Sequence, residues 1–326
     1  MLTKFRILIL AALFSVAISN PATAQPQSAY PNRPIRLVVP FAPGAGTDLS
    51  IRTIAPTWSE TLGKQIVIDN RAGASGIMGT SIVAKAVPDG YTLLFTSSSF
   101  AVNTTLFSSL PYDALKDFAP VGHAVSFPYF LVVNSELPVK SVQDLVALAK
   151  AKPGSLNYGS TGSGTAPHIS AELFKQLAKV DIVHVPYKGS AESLIAVISG
   201  QIQLMFVNSV SAIPHVRAGR LRALGISTAR RGAAIAPDVP TIAEAVPGYL
   251  YDTWAGVVAP AGTPREIIAR LNRDLVHTLG RPDVRVKLEA QGAEVKRGAP
   301  EEFAKLIATD TERLGRVVTT GKMRAD

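Results

Sequence analysis

Two short stretches of the chain have the residue types and spacing to hold an anion: PFAPGAGTD at 40–48 and GSTGSGTAPH at 159–168. In each, glycines follow a short apolar or aromatic run and precede a helix-compatible segment. The first backbone N–H groups of a helix have no intrahelical partner, and the helix dipole adds partial positive charge at the same place. Glycine permits positive φ and lets a ligand approach the main chain closely. A turn of this kind cradles a carboxylate or phosphate with amides, although one alone is equally suited to a tight strand-to-helix connection. Two of them in separate regions favour binding. The candidates are Phe41, Ala42, Gly44, Ala45, Gly46, Thr47 and Asp48 in the first turn, and Ser160, Thr161, Gly162, Ser163, Thr165 and His168 in the second. Asp48 is expected mainly to cap the following helix by accepting a backbone N–H. His168 falls in the first turn of its helix, where it either faces a ligand or makes a structural hydrogen bond.

Other chemistries lack their residues. No GxxxxGK[ST] motif is present, and the third glycine of a dinucleotide fingerprint is replaced by Leu49 in one turn and Pro167 in the other. There is no GxSxG elbow and no cysteine, and the histidines at 123, 168, 184, 215 and 277 show neither HxH nor HxxxH spacing. No carboxylate pair stands out for acid–base work. No metal site, cofactor or enzymatic activity is therefore expected. An exported hydrolase or isomerase using His168 as base is the alternative from another class. Neutral donors instead gather at the predicted carboxyl ends of strands, where ligands of open α/β sheets sit: Ser97, Ser98, Asn208 and Ser209, with Tyr187 and Lys188 in a nearby loop.

The elements that must position these groups alternate β-branched runs with helical patterns, which predicts an α/β fold with a largely parallel sheet. IRLVVPF, QIVIDN and YTLLFTSSS read as strands of a first region. A helix from Asp48 to Gly63 is expected to be kinked or interrupted near Pro56. A second region has strands PYFLVVN, LNYGS, IVHVPY and IQLMFVN. The late strand TWAGVVAP and the helices at 282–290 and 300–317 have no partner in that region and are expected to return to the first. The resulting lobes are 30–128 plus 253–326 and 129–252, with a ligand cleft between them.

The chain has 326 residues, 47% of them apolar, enough for a large core. Residues 1–24 read as a secretory signal: Lys4 and Arg6, an apolar run of about a dozen residues, then Ala22-Thr23-Ala24. That run is too short for a ~20-residue membrane span. The formal net charge is +9, two units of which lie in the leader, and no basic stripe interleaved with aromatics points to nucleic acid.

Taken in order, FAPGAGTD, NRAGASGIMGT, YGSTGSGTAPH, VPYKGSAESLIAVISGQIQLMF, LRALGIS and WAGVVAPAGTP resemble the Bug family of extracytoplasmic solute receptors, which serve tripartite tricarboxylate transporters. The resemblance implies a two-lobed Venus-flytrap fold of type II that closes on a small carboxylate. It also implies a periplasmic, monomeric protein with membrane transporter subunits as partners, or a membrane signalling protein if the role is sensing. Loop 41–48 and the turn at 160–165 would hold the ligand, helped by ordered water. This chain departs from the family pattern at Ala45, Ala72 and Ser75, and at Gln203 and Val207, where the family usually has acidic residues. An acid lost beside the pocket at Val207 would disfavour a ligand carrying an ammonium group.

Overall fold

Strand β4 (Phe118–Asn134) organises the molecule, because its 17 residues run from one sheet into another. The computed structural model describes residues 30–228, 230–231 and 237–325; the expected leader lies outside them. In its first part β4 pairs antiparallel with β9 (Asp252–Pro260), from Phe118 opposite Pro260 to Pro128 opposite Asp252. From Tyr129 it pairs antiparallel with β7 (Leu204–Asn208) and from Phe130 with β8 (Leu221–Ile226).

The first sheet has the order β2-β1-β3-β9-β4, with β1 at Ile35–Val39, β2 at Ile66–Asn70 and β3 at Thr92–Ser97. A two-residue β10 (Glu294–Val295) lies on the other edge of β4. The second sheet continues β4-β7-β5-β6, with β5 at Asn157–Ser160 and β6 at Val183–Pro186. β1 pairs parallel with β2 and β3, and β5 with β6 and β7. The other pairings are antiparallel, so the sheets are mixed where the sequence predicted largely parallel ones. In the first sheet the reason is β9, which inserts between β3 and β4 against the direction of both; in the second it is β4, which runs against β7 and β8.

Helix α1 (Gly46–Leu62) buries Ile51, Ile54, Ala55, Trp58 and Leu62, the spacing of a single face. It runs through Pro56 without interruption. The N–H that proline lacks would have bonded to the Arg52 carbonyl in mid-helix, so one rung of the ladder is missing without ending the helix. The serine cluster after β3 does not stay extended but opens a helix, α3 (Ser99–Leu106). The helices α2 (Ile77–Ala84), α4 (Val142–Ala151), α5 (Ala166–Ala178), α6 (Ser190–Ile198) and α7 (Ser209–Arg217) follow their strands, and α8 (Arg265–Gly280) and α9 (Pro282–Ala290) pack back on the first sheet.

The last helix, α10 (Pro300–Thr320), belongs to both lobes. Near its start Phe303 meets Trp254 edge-on in the first-lobe core, and Asp310 accepts a 2.8 Å hydrogen bond from the Trp254 indole. Near its end, Leu314, Val317 and Val318 join a core containing Tyr158 and Phe174 of the second lobe and Val102 and Leu106 of α3.

Candidate functional site

Strands β4 and β9 cross from lobe to lobe as a two-stranded ribbon, and successive residues of a strand point to opposite faces. Phe127, Tyr129, Tyr251 and Thr253 point to one side and line a cavity of about 340 Å³. Ser126, Pro128, Asp252 and Trp254 point to the other and line a cleft of about 1120 Å³. The larger cleft is walled by charged groups, many of them paired with one another, such as Arg285 with Glu289, Lys296 with Glu294 and Arg313 with Asp310. The smaller cavity is different. Among the described residues, its lining has no carboxylate, imidazole, ammonium or guanidinium group.

Helix N-termini take the place of charge there. Ala45, Gly46 and Thr47 open α1, Ser98 and Ser99 open α3, and Thr165, Ala166 and Pro167 open α5; Ser190 begins α6, and Asn208 caps α7. The first four have no side-chain cap, so no side chain occupies the first-turn N–H groups beside the cavity, although Pro167 of α5 contributes none. Only in α7 does a side chain cap the helix: Asn208 Oδ1 accepts from Ser211 N at 3.0 Å. Hydroxyls of Thr161, Ser97 and Ser75 complete the polar wall, with Gln291, whose Oε1 is buried without a hydrogen-bond partner. Phe41, Leu49, Val102 and Phe127 supply an apolar part. Burial pushes the Tyr129 hydroxyl up to about 12, and Tyr251 is raised for the same reason, so both phenols stay neutral donors.

The structure thus brings together Phe41, Gly44, Ala45, Gly46, Thr47, Ser97, Ser98, Thr161, Thr165 and Asn208 from the sequence candidates. It does not place Ala42, Asp48, Ser160, Gly162, Ser163, His168 or Tyr187 on the cavity wall. Ala42 is exposed and its carbonyl accepts from Ala45 N within the loop. Asp48 lies buried beneath it. One of its oxygens accepts from Gly44 N and Arg52 Nε, both at 2.8 Å, and the other from Asn70 Nδ2 at 2.8 Å. Ser160 Oγ accepts from Gly162 N at 3.0 Å and meets His184 Nε2 at 2.6 Å. The Tyr187 ring packs against the second-lobe core. His168 is buried, and its Nδ1 accepts from Gly164 N at 3.0 Å, the structural hydrogen bond left open by the sequence. Val207 is buried in the same core as Phe130, so its side chain has no bearing on a ligand ammonium.

Sequence reasoning missed Ser75, Ser190, Gln291, Tyr129, Tyr251 and Thr253. Ser75 had a signal, because ASG between β2 and α2 repeats the small-residue turn, and the structure gives Ala74 and Ser75 positive φ. Gln291, at the end of α9, comes from a helix whose pattern gives no hint of a binding role. Among the described residues, no group of three or more His, Cys, Asp or Glu could hold a metal ion.

Comparison with known proteins places the chain in a family. Residues 50–322 match the model of the tripartite tricarboxylate transporter family receptor. The chain is 38% identical to Protein BugT of Bordetella pertussis, over 95% of this chain and 96% of that one. Among solved structures, it resembles a Rhodopseudomonas palustris protein with adipate, at a TM-score of 0.81 and 38% identity, covering 91% of this chain and 100% of the other. It also resembles MatC of the same organism with bound malate, at a TM-score of 0.77 and 35% identity, covering 89% and 100%.

Proposed function

The chain belongs to the tripartite tricarboxylate transporter receptor family, and from that premise we propose that it captures a small carboxylate and releases it unchanged to a membrane transporter. Its fold is the two-lobed α/β fold of periplasmic binding proteins. The observation that carries the proposal is the convergence of uncapped helix N-termini from both lobes on a cavity without a charged side chain. Such a wall neutralises an anion with partial charges and hydrogen bonds. It forms no ion pair that must be broken on release.

The lobes in this reading are 30–128 plus 253–326 and 129–252, and the ligand contacts are the cavity-lining amides and hydroxyls named above. Adipate and malate, bound by relatives, are the first ligands to try. With no carboxylate on the wall to pair with an ammonium, a plain di- or tricarboxylate or an aromatic acid suits the cavity better than an amino acid. The protein acts in the periplasm as a monomer.

A thermal-shift and calorimetry screen over carboxylates, amino acids, sugars and nucleotides tests this. Binding stabilises the native state by about 2.7 kcal/mol at a hundredfold excess over Kd. A shift with carboxylates and recovery of unaltered ligand are expected. A response confined to sugars or nucleotides, or turnover of the bound acid, would overturn the reading.

A further inference from the structure

Beneath the second-lobe turn, three rings form a stack that the cavity wall rests on. Tyr158 of β5 lies over His184 of β6 with centroids 5.0 Å apart, and His184 lies over His168 of α5 at 4.0 Å and 11°. The two imidazoles hold the two ends of the turn. Ser160 Oγ meets His184 Nε2 at 2.6 Å, and Gly164 N donates to His168 Nδ1 at 3.0 Å. Gly164 and Thr165 are themselves part of the cavity wall. Gly164 has φ +72°, and a Cβ there would overlap Leu106 of α3, so the turn is pressed directly against the opposite lobe.

We infer that His168 is a positioning residue whose neutral, Nδ1-accepting imidazole holds Gly164 in the ligand-binding conformation, so that protonation of this ring releases the turn and weakens ligand capture. The inference rests on the receptor reading for its effect on affinity. An Nδ1 that accepts an amide proton carries no proton of its own, which makes the ring a neutral Nε2–H tautomer. Protonating Nδ1 sets two N–H donors face to face at 3.0 Å, and the bond is lost. His168 is the third residue of α5, where the positive end of the helix dipole disfavours an imidazolium. A second cation on the stacked His184 would be repelled in the same way. The other titratable groups nearby are Tyr158 and, on α5, Glu172 and Lys175. Glu172 accepts from the Tyr158 hydroxyl and from Lys175 Nζ, both at 2.7 Å. Helix α3 brings no charged residue to the contact.

The test compares wild type, His168→Asn and His168→Leu by calorimetry with adipate, from about pH 8.5 to about pH 4.5, which spans the imidazole range. Asn presents an amide oxygen near the place of Nδ1 and does not titrate; Leu removes the acceptor. Expected is a loss of affinity of roughly tenfold or more in the Leu variant near pH 8, consistent with an orphaned buried amide, and recovery of most of that loss by Asn. The ratio of wild-type to Asn Kd should rise toward acid pH by up to about tenfold per pH unit. Titration of the ligand is common to both proteins and cancels in the ratio. A flat ratio, or wild-type affinity in the Leu variant, overturns the inference, because a merely structural histidine would change stability without moving this profile.

Exchange of the Gly164 amide, followed by NMR in the free protein, supplies the second readout. Its protection should fall at acid pH in wild type and persist in His168→Asn. If no carboxylate binds to wild type, the receptor reading fails, and the Gly164 exchange alone decides the role of His168.

Discussion

Asp48 supports its loop from beneath, off the wall of the proposed carboxylate cavity. It sits under its loop and gathers Gly44 N, Arg52 and Asn70. Burial works against its charged form. Hydrogen bonds from Arg52, Gly44 and Asn70, with the Arg52 charge, outweigh that and hold the carboxyl below the usual aspartate range. A depressed folded value means that the group stabilises the protein above the unfolded aspartate range, ~4, and that this is lost as pH falls through the folded value. Asp48→Ala leaves the Gly44 amide unpaired and takes one of two acceptors from Asn70 Nδ2, which keeps the Phe41 carbonyl; the cost is about 1–3 kcal/mol. Urea unfolding near neutral pH should show that gap, and it should narrow as acid protonates the wild-type carboxyl. Equal midpoints at neutral pH would remove Asp48 from the loop's support. Ligand affinity should fall with it, because the α1 amides lose their fixed direction.

The helix termini are the element-scale device, and Ala45 tests them. It occupies the N-cap of α1 with extended backbone, φ −64° and ψ 153°, and has no side-chain acceptor for the first-turn amides. Ala45→Ser supplies one, so α1 should gain about 0.5–1 kcal/mol while carboxylate affinity drops, since the new hydroxyl competes with the ligand for the same N–H groups. Unfolding and calorimetry on one preparation measure both, and a variant that binds tighter would refute the free-amide account. Turns 40–48 and 159–168 were legible in the sequence because strand, glycines and helix are contiguous there, so local pattern alone places their amides. Asp48 was read from the sequence as a structural acceptor of a backbone N–H, and it accepts one from Gly44, whereas for His168 the sequence left ligand contact and a structural bond both open. Whether a side chain in the first turn faces outward or down depends on what lies underneath, here Asn70 of β2 and His184 of β6. Tyr129, Tyr251 and Thr253 were illegible for another reason. Their cavity-facing side is set by the β4–β9 register, a pairing across more than a hundred residues. The reversed direction of β9, which turned an expected parallel sheet into a mixed one, has the same long-range origin.

At the scale of the molecule the β4–β9 ribbon is both the link between lobes and the wall between two cavities, so its two faces live in different electrostatic settings. The face toward the smaller cavity is uncharged. On the other face burial pushes Asp252 up to about 6, and one of its oxygens is buried without a partner. Nearby His123 is driven down to about 4, again by burial, with Lys296 adding to the effect. Both therefore favour their neutral forms in the folded state, yet they respond to acid with opposite signs. Between the ordinary aspartate value and about 6, folded Asp252 binds a proton that the unfolded chain does not, so stability rises as pH falls. Between about 6.5 and about 4 the unfolded chain protonates His123 and the folded one does not, so stability falls with pH. Each effect amounts to about 3 kcal/mol at its limit, and in the wild type they largely cancel. Single substitutions should uncover them. Asp252→Asn should be the more stable protein near pH 8, where the wild type buries a charge, and its advantage should shrink by about 3 kcal/mol toward pH 4. His123→Gln should match the wild type near pH 8 and gain by a similar amount toward pH 4. Urea unfolding at a series of pH values reads both. Curves that stay parallel to wild type in either variant would mean that the corresponding side chain reaches water through the larger cleft. The ribbon would then have no buried charge to regulate.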